Sequence, residues 1–314
     1  MPRLWIIRFV VLSCMIFPAV QAQEKSKAKI PNVTPGASTI TSFDKDHTIV
    51  GWVEIIPFES KILHNTRMLR VLVPANYFSP HNAHRTYPVL YLQDGQNLFD
   101  DATSNAGEWH VDETAEHLVG SFKSPPMFVV GIDHAGTTRS SEYLPYPNDR
   151  SQQPSARDEN EVRGKAYVEF LLTEVMPFIE KKYRVSRGAA NAGLGGSSYG
   201  GDISLDTVLE HPRIFGHVLI ESPVLWIGND QLIKDAAKAK QLPQKMYLGI
   251  GTNETTDQQP SAEIVKSAEE LEKILRNKGP GPSRLNVVVA EGAQHNEAAW
   301  SRRLPEALLF LYGK

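Results

Sequence analysis

Two runs, Tyr87-Pro-Val-Leu-Tyr-Leu92 and Met127-Phe-Val-Val-Gly-Ile132, are apolar almost without interruption. A strand with one face in water alternates apolar and polar residues. An unbroken run belongs to a strand covered on both faces, the condition of a parallel sheet. Three more short apolar runs follow, at His217–Ile220, Met246–Ile250 and Leu285–Ala290. Between and after them come helical patterns at Trp109–Val119, Tyr167–Tyr183, Asp202–Glu210, Ser261–Lys278 and Glu297–Leu311. In the second, Phe170, Leu171, Val175, Phe178 and Ile179 share one side. Strand and helix alternating from residue 87 onward predict an α/β fold: a mostly parallel central sheet with helices on both faces. Val50–Ile56 and Arg67–Pro74 read as early strands of the same sheet.

The N-terminus is read separately. Arg3 and Arg8 precede a short apolar stretch to Val20, and Val20-Gln21-Ala22 offers small residues at a cleavage position. Residues 1–22 are expected to be a signal peptide, 23–45 a flexible lead-in, and 46–314 a single α/β domain. Arg8 interrupts the apolar run, so a membrane span fits poorly. Export to the periplasm or the medium is the expectation, with no transmembrane segment in the mature chain. The only cysteine, Cys14, lies in the signal, so neither a disulfide nor a cysteine metal site is expected in the mature chain. A formal net charge of −3 offers no basic field for nucleic acid.

Chemistry enters with Gly195-Gly-Ser-Ser-Tyr-Gly-Gly201, placed where a strand gives way to a helix. It holds one Gly-x-Ser-x-Gly frame centred on Ser198. A serine hydroxyl is a poor nucleophile in water, but a tight strand-to-helix turn can expose it at the end of a sheet. The helix N-terminus then directs N–H groups at an anion formed beside it. The preceding strand, Asn191–Gly195, is poor in β-formers, and only its placement argues for it.

A nucleophilic serine needs a base, and the base needs an orienting acid. Of the histidines after Ser198, His217 opens an apolar strand and reads as a packed residue. His211 precedes Pro212 and reads as a helix terminator. His295 stands in the loop Glu291–Asn296, past the last strand, where open α/β sheets carry their chemistry. For the acid, Glu254 follows the strand Met246–Ile250 most closely, with Asp257 and Glu221 as alternatives. Oxyanion donors are expected from the backbone N–H of Tyr199 and of Gln96, the latter in the loop Asp94-Gly-Gln-Asn97. Trp109, Arg139, Tyr143 and Trp300 are candidate substrate contacts, with core or cap packing as the alternative for the two tryptophans. The polar stretch Thr137–Val162 is long enough to cover or line a site.

Tyr87–Asp100, Gly196–Gly201, Tyr247–Glu254 and Gly292–Trp300, taken in this order, resemble a bacterial esterase family of the α/β-hydrolases. It includes esterase D-like enzymes, enterochelin esterases, some feruloyl esterases and the mycolyltransferases. The resemblance runs from about residue 50 to 312. It implies a serine nucleophile, an acid and a histidine, which fall on Ser198, Glu254 and His295. It implies no metal or organic cofactor and a small-molecule or carbohydrate-linked ester as substrate. Acyl transfer on the same side chains, or a binding protein that keeps the fold without the chemistry, are the alternatives.

Overall fold

The computed structural model describes residues 36–147, 162–255 and 258–313. The proposed signal, Cys14 and the alternative acid Asp257 lie outside the described residues, as does most of the stretch Thr137–Val162. A nine-stranded sheet forms the centre, in the order β1-β2-β3-β5-β4-β6-β7-β8-β9. β1 (Ser38–Thr41), β2 (Trp52–Ser60) and β3 (Asn65–Leu72) pair antiparallel, and β3 meets β5 (Phe128–Ile132) antiparallel. From β5 onward, through β4 (Val89–Gln93), β6 (Ala192–Ser197), β7 (His217–Glu221), β8 (Lys245–Asn253) and β9 (Leu285–Gln294), every neighbour is parallel. β4 and β5 are buried along their whole length, which is why their sequences do not alternate.

Helices cover both faces. α1 (Val111–Gly120) and α8 (Glu297–Tyr312) pack Val111, Ala115, Leu118, Leu304, Leu308 and Leu311 against Leu90, Leu92, Val129 and Leu219. The opposite face is closed by α3 (Gly164–Phe170), α4 (Met176–Lys182), α5 (Tyr199–Glu210), α6 (Ile227–Lys238) and α7 (Gln258–Asn277), seated on strand residues such as Tyr91, Val130, Leu194 and Val218. A further short helix, α2 (Arg139–Tyr143), follows β5. This is the α/β architecture, a mostly parallel sheet with helices on both faces, that the alternation predicts.

Several expectations change. β1 lies inside the stretch read as a lead-in. Its four residues pair with Trp52–Ile55, and backbone pairing at a sheet edge needs little apolar side-chain signal. The helix expected over Tyr167–Tyr183 is α3 and α4 joined by a π turn, Leu171–Val175. Pro177 cannot donate to the carbonyl four residues back, and the chain widens just before it. The glycines that make β6 look like a poor strand are required by close neighbours. A Cβ on Gly195 would come within 2.7 Å of Leu219, and one on Gly193 would strike the Tyr312 hydroxyl. β9 extends to Gln294, so residues 291–294 are strand rather than loop.

Candidate active site

Four neighbouring strands end at one edge of the sheet, and each is followed at once by a candidate side chain or its support. Ser198 follows β6, Ser222 follows β7, Glu254 follows β8 and His295 follows β9. Ser198 has φ 56° and ψ −132°, a left-handed backbone that β-carbon-bearing residues rarely adopt. The turn is held from both sides. Ser198 N–H donates to Glu221 O (2.9 Å), and Ser198 O accepts from Gly201 N–H (2.9 Å) and Asp202 N–H (3.1 Å). The glycines of the frame allow the approach. A Cβ on Gly196 would lie 2.7 Å from the Gly200 carbonyl, and one on Gly200 would lie 2.9 Å from Gln93.

His295 and Glu254 meet directly. His295 Nδ1 lies 2.6 Å from Glu254 Oε2. The other carboxylate oxygen, Oε1, accepts from Ser222 Oγ (2.7 Å) and from Gly251 N–H (2.6 Å). Burial alone would raise the Glu254 pKa. The hydrogen bonds from His295, Ser222 and Gly251 outweigh it and hold the carboxyl below its ordinary range. Glu254 is therefore ionised at neutral pH and fixes the imidazole with its Nδ1–H toward the acid, leaving Nε2 for other work. The ring packs edge-on to Trp300, 5.3 Å between centroids.

The β9–α8 connection then crosses back over the sheet edge. Glu297, two residues past His295, accepts from Asn97 Nδ2 (3.0 Å). Asn97 follows β4. The segment after β9 thus reaches the loop after β4, with β6 lying between β4 and β7 in the strand order. Ser198 Oγ itself makes no hydrogen bond among the described residues.

The loop after β4 forms the remaining wall. Asp94 takes φ 58°, and Arg139 grips it in a two-pronged pair, Nε to Oδ1 (2.7 Å) and Nη2 to Oδ2 (2.8 Å). Arg139 also lies over the Tyr199 ring, 5.8 Å from its centroid. Gln96 anchors the next residues, its Oε1 accepting from His134 N–H (3.2 Å) and its carbonyl from Thr103 Oγ1 (2.8 Å). No acceptor holds the Gln96 N–H among the described residues.

The proposed substrate contacts need correction. Trp109, Tyr143 and Trp300 are 2%, 0% and 5% exposed, so they pack rather than face solvent. Trp109 and Trp300 pack against each other at a tilt of 57°, 5.9 Å between ring centroids, and Tyr143 Oη accepts from Asp94 N–H (3.2 Å). Arg139 is spent on Asp94. The two tryptophans thus take the packing alternative, and Tyr143 joins them because the size of aromatic side chains favours the core. Glu221 is not free to serve as the acid, because Arg303 Nη2 and Nε hold its Oε2 at 2.6 and 2.9 Å. His217 is buried edge-on against Tyr312, as its strand placement suggested. Ser222 was missed. Its signal was positional: a hydroxyl residue just past the strand that lies between the serine and acid strands.

Comparison with known proteins agrees with the architecture. YbbA of Bacillus subtilis, an uncharacterized protein, is 25% identical over 233 residues, covering 73% of this chain and 86% of that protein. The enterobactin esterase of Shigella flexneri superposes with a TM-score of 0.62 at 20% identity, over 82% of this chain and 59% of that one. An IroE-like serine hydrolase from Shewanella oneidensis gives 0.63 at 19%, over 83% and 80%. The chain thus spans little more than half of the enterobactin esterase, and these two structures share its fold. Residues 60–311 match the family model described as "Putative esterase". The chain belongs to that family and is built on the α/β-hydrolase fold.

Proposed function

We propose that the protein is an exported serine carboxylesterase that works through an acyl-serine intermediate. The observation that supports this reading is the His295–Glu254 pair at 2.6 Å, on segments that follow β9 and β8 at the sheet edge where Ser198 follows β6 in a left-handed turn. In this reading His295 Nε2 removes the Ser198 proton as Oγ attacks the ester carbonyl. The oxyanion rests on the N–H groups of Gln96 and Tyr199. The protonated imidazole then gives its proton to the departing alcohol. Water, deprotonated by His295, hydrolyses the acyl-serine by the reverse path. The Ser198–His295 hydrogen bond forms when substrate is seated, since catalytic hydrogen bonds are commonly long without it. Glu254 stabilises the imidazolium and keeps its charge throughout.

The substrate is a small or carbohydrate-linked ester. The Arg3/Arg8 start, the apolar stretch and Val20-Gln21-Ala22 support export. The test is a Ser198→Ala variant assayed on a short-chain nitrophenyl ester, with a fluorophosphonate label mapped by mass spectrometry. The reading expects label on Ser198 and a loss of activity of about 10^4-fold or more. A Ser198→Ala protein as active as the parent would overturn it.

A further inference from the structure

The connection from β4 to α1 carries a group of acids that ester hydrolysis does not use. The Glu108 side chain is buried, 1% exposed. Thr48 Oγ1 donates to its Oε2 at 2.6 Å, while Oε1 has no hydrogen-bond partner among the described residues. Glu113 Oε2 is likewise buried and meets Asp112 through a side-chain hydrogen bond. Asp112 is fully buried. Its Oδ2 accepts from Val50 N–H (2.6 Å), and burial pushes its pKa up to about 9, so at neutral pH it carries the proton of that bond. Among these carboxylates stands His110, whose Nδ1 is 3.2 Å from Glu113 Oε1 and 3.7 Å from Glu108 Oε2. Ligand atoms of Glu108, His110 and Glu113 all lie within 4.8 Å of one another.

A buried carboxylate oxygen with no donor is costly, and like charges in contact add to the cost. The proton on Asp112 relieves its contact with Glu113 but not Glu108 Oε1, and the imidazole cannot serve both remaining acids, because one Nδ1–H serves one oxygen. A cation can. With bonds of about 2.1 Å, neighbouring ligand atoms stand roughly 3.0 Å apart in an octahedral site and roughly 3.4 Å apart in a tetrahedral one. The 3.2 Å separation meets that requirement, and the 3.7 Å one is a few tenths of an ångström wider, a gap that a small turn of the half-exposed His110 ring closes. His110 is 50% and Glu113 33% exposed at the side chain, so one side is open for entry and for water ligands. Thr48 would orient Glu108 from behind, as outer hydrogen bonds do for metal-binding carboxylates. An imidazole nitrogen with two carboxylates suits Zn2+ or Mn2+. Ca2+ and Mg2+ favour oxygen alone.

We propose that Glu108, His110 and Glu113 form a binding site for a divalent transition cation of the Zn2+/Mn2+ class. The site is structural and stands apart from the hydrolytic reading. Trp109 N–H donates to Asn97 O (2.8 Å) and Val111 N–H to Leu98 O (3.0 Å), so the cation fastens the segment that braces the loop after β4.

The test uses the full chain after chelator treatment, titrated calorimetrically with ZnCl2, MnCl2, CaCl2 and MgCl2. Thermal unfolding is followed in parallel, and Co2+ serves as an optical probe. The proposal expects one saturable equivalent of Zn2+ or Mn2+, a melting temperature raised by a few degrees, and a Co2+ ligand-field spectrum. His110→Ala should abolish all three. Glu113→Gln, which changes only charge at a partly exposed position, should weaken binding by about 10- to 100-fold. No saturable binding below about 1 mM would overturn the proposal. So would a preference for Ca2+ or Mg2+, or full retention of the equivalent in His110→Ala and Glu113→Gln, which would place the ion elsewhere, for instance on His295 and Glu254.

Discussion

Ser222 Oγ donates to Glu254 Oε1 over 2.7 Å while accepting Trp300 Nε1–H over 2.9 Å. One hydroxyl thus joins the acid beside His295 to the indole beneath that ring. Ser222 is a positioning residue in this arrangement, since it reaches His295 only through Glu254 and Trp300. Ser222→Ala would orphan a buried indole N–H and remove one of the bonds on Glu254, a cost of about 1–3 kcal/mol for the unpaired group. The expected result is a fall in kcat of about tenfold with KM nearly unchanged. Steady-state kinetics on a nitrophenyl ester read both constants. A change in KM alone would assign Ser222 to packing.

Glu254 and Asp257 are distinguished by charge removal. Glu254→Gln keeps the shape of the side chain but offers Nδ1 of His295 the wrong partner, so the imidazole loses its fixed tautomer. Activity should fall about 10^3- to 10^4-fold. Asp257→Asn should leave kcat within about twofold, well under 1 kcal/mol. The reverse pattern would move the acid to Asp257.

Arg139 acts on the loop that carries Gln96. Both prongs of its guanidinium are used on Asp94, whose left-handed backbone starts that loop. Lysine cannot make the same two-pronged contact. Arg139→Ala is expected to lower kcat/KM about 10- to 100-fold, mostly through kcat. It should also destabilise by about 1–3 kcal/mol, because Asp94 is left buried without its partner while Arg139 is itself a quarter exposed. Arg139→Lys should recover stability more than rate. Equal recovery of both would deny the link to the loop.

Acid sensitivity of the fold has a specific source in His217. Burial, aided by Lys245, pushes its pKa down to about 4 from the ordinary 6.5. Between those values the unfolded chain binds a proton that the folded chain refuses. Stability therefore falls as pH drops from about 6.5 toward 4 and flattens below. The contribution is at most about 3 kcal/mol. His217→Gln should shrink the pH slope of urea unfolding across that window. An unchanged slope would assign the acid sensitivity to other groups.

The parallel half of the sheet was legible because unbroken apolar runs such as Val89–Leu92 report burial on both faces. The sites after β8 and β9 were legible for a related reason: strand ends in such a sheet gather at one edge, so Glu254 and His295 could be placed near each other from strand boundaries alone. β1 escaped because pairing by backbone leaves almost no trace in Ser38–Thr41. α2 and α6 escaped because short or kinked helices carry weak periodicity, and Gly228, Asn229 and Asp230 take left-handed backbone inside α6. Tyr143 was misplaced, and Trp109 and Trp300 were left between lining and packing, because sequence proximity to a loop says nothing about which way a side chain turns. Ser222 could not be weighed without knowing that β7 separates the serine strand from the acid strand.

The closeness of Gly196 and Gly200 to Gln93 and Asp94 has a practical corollary for anyone diversifying this enzyme. Where side chains rest on a glycine backbone with only hydrogens between them, neither can drift without the other, so the turn at Ser198 and the loop after β4 form a single casting. Libraries that alter acyl preference would have to leave those glycines alone and draw their variation from surfaces outside it.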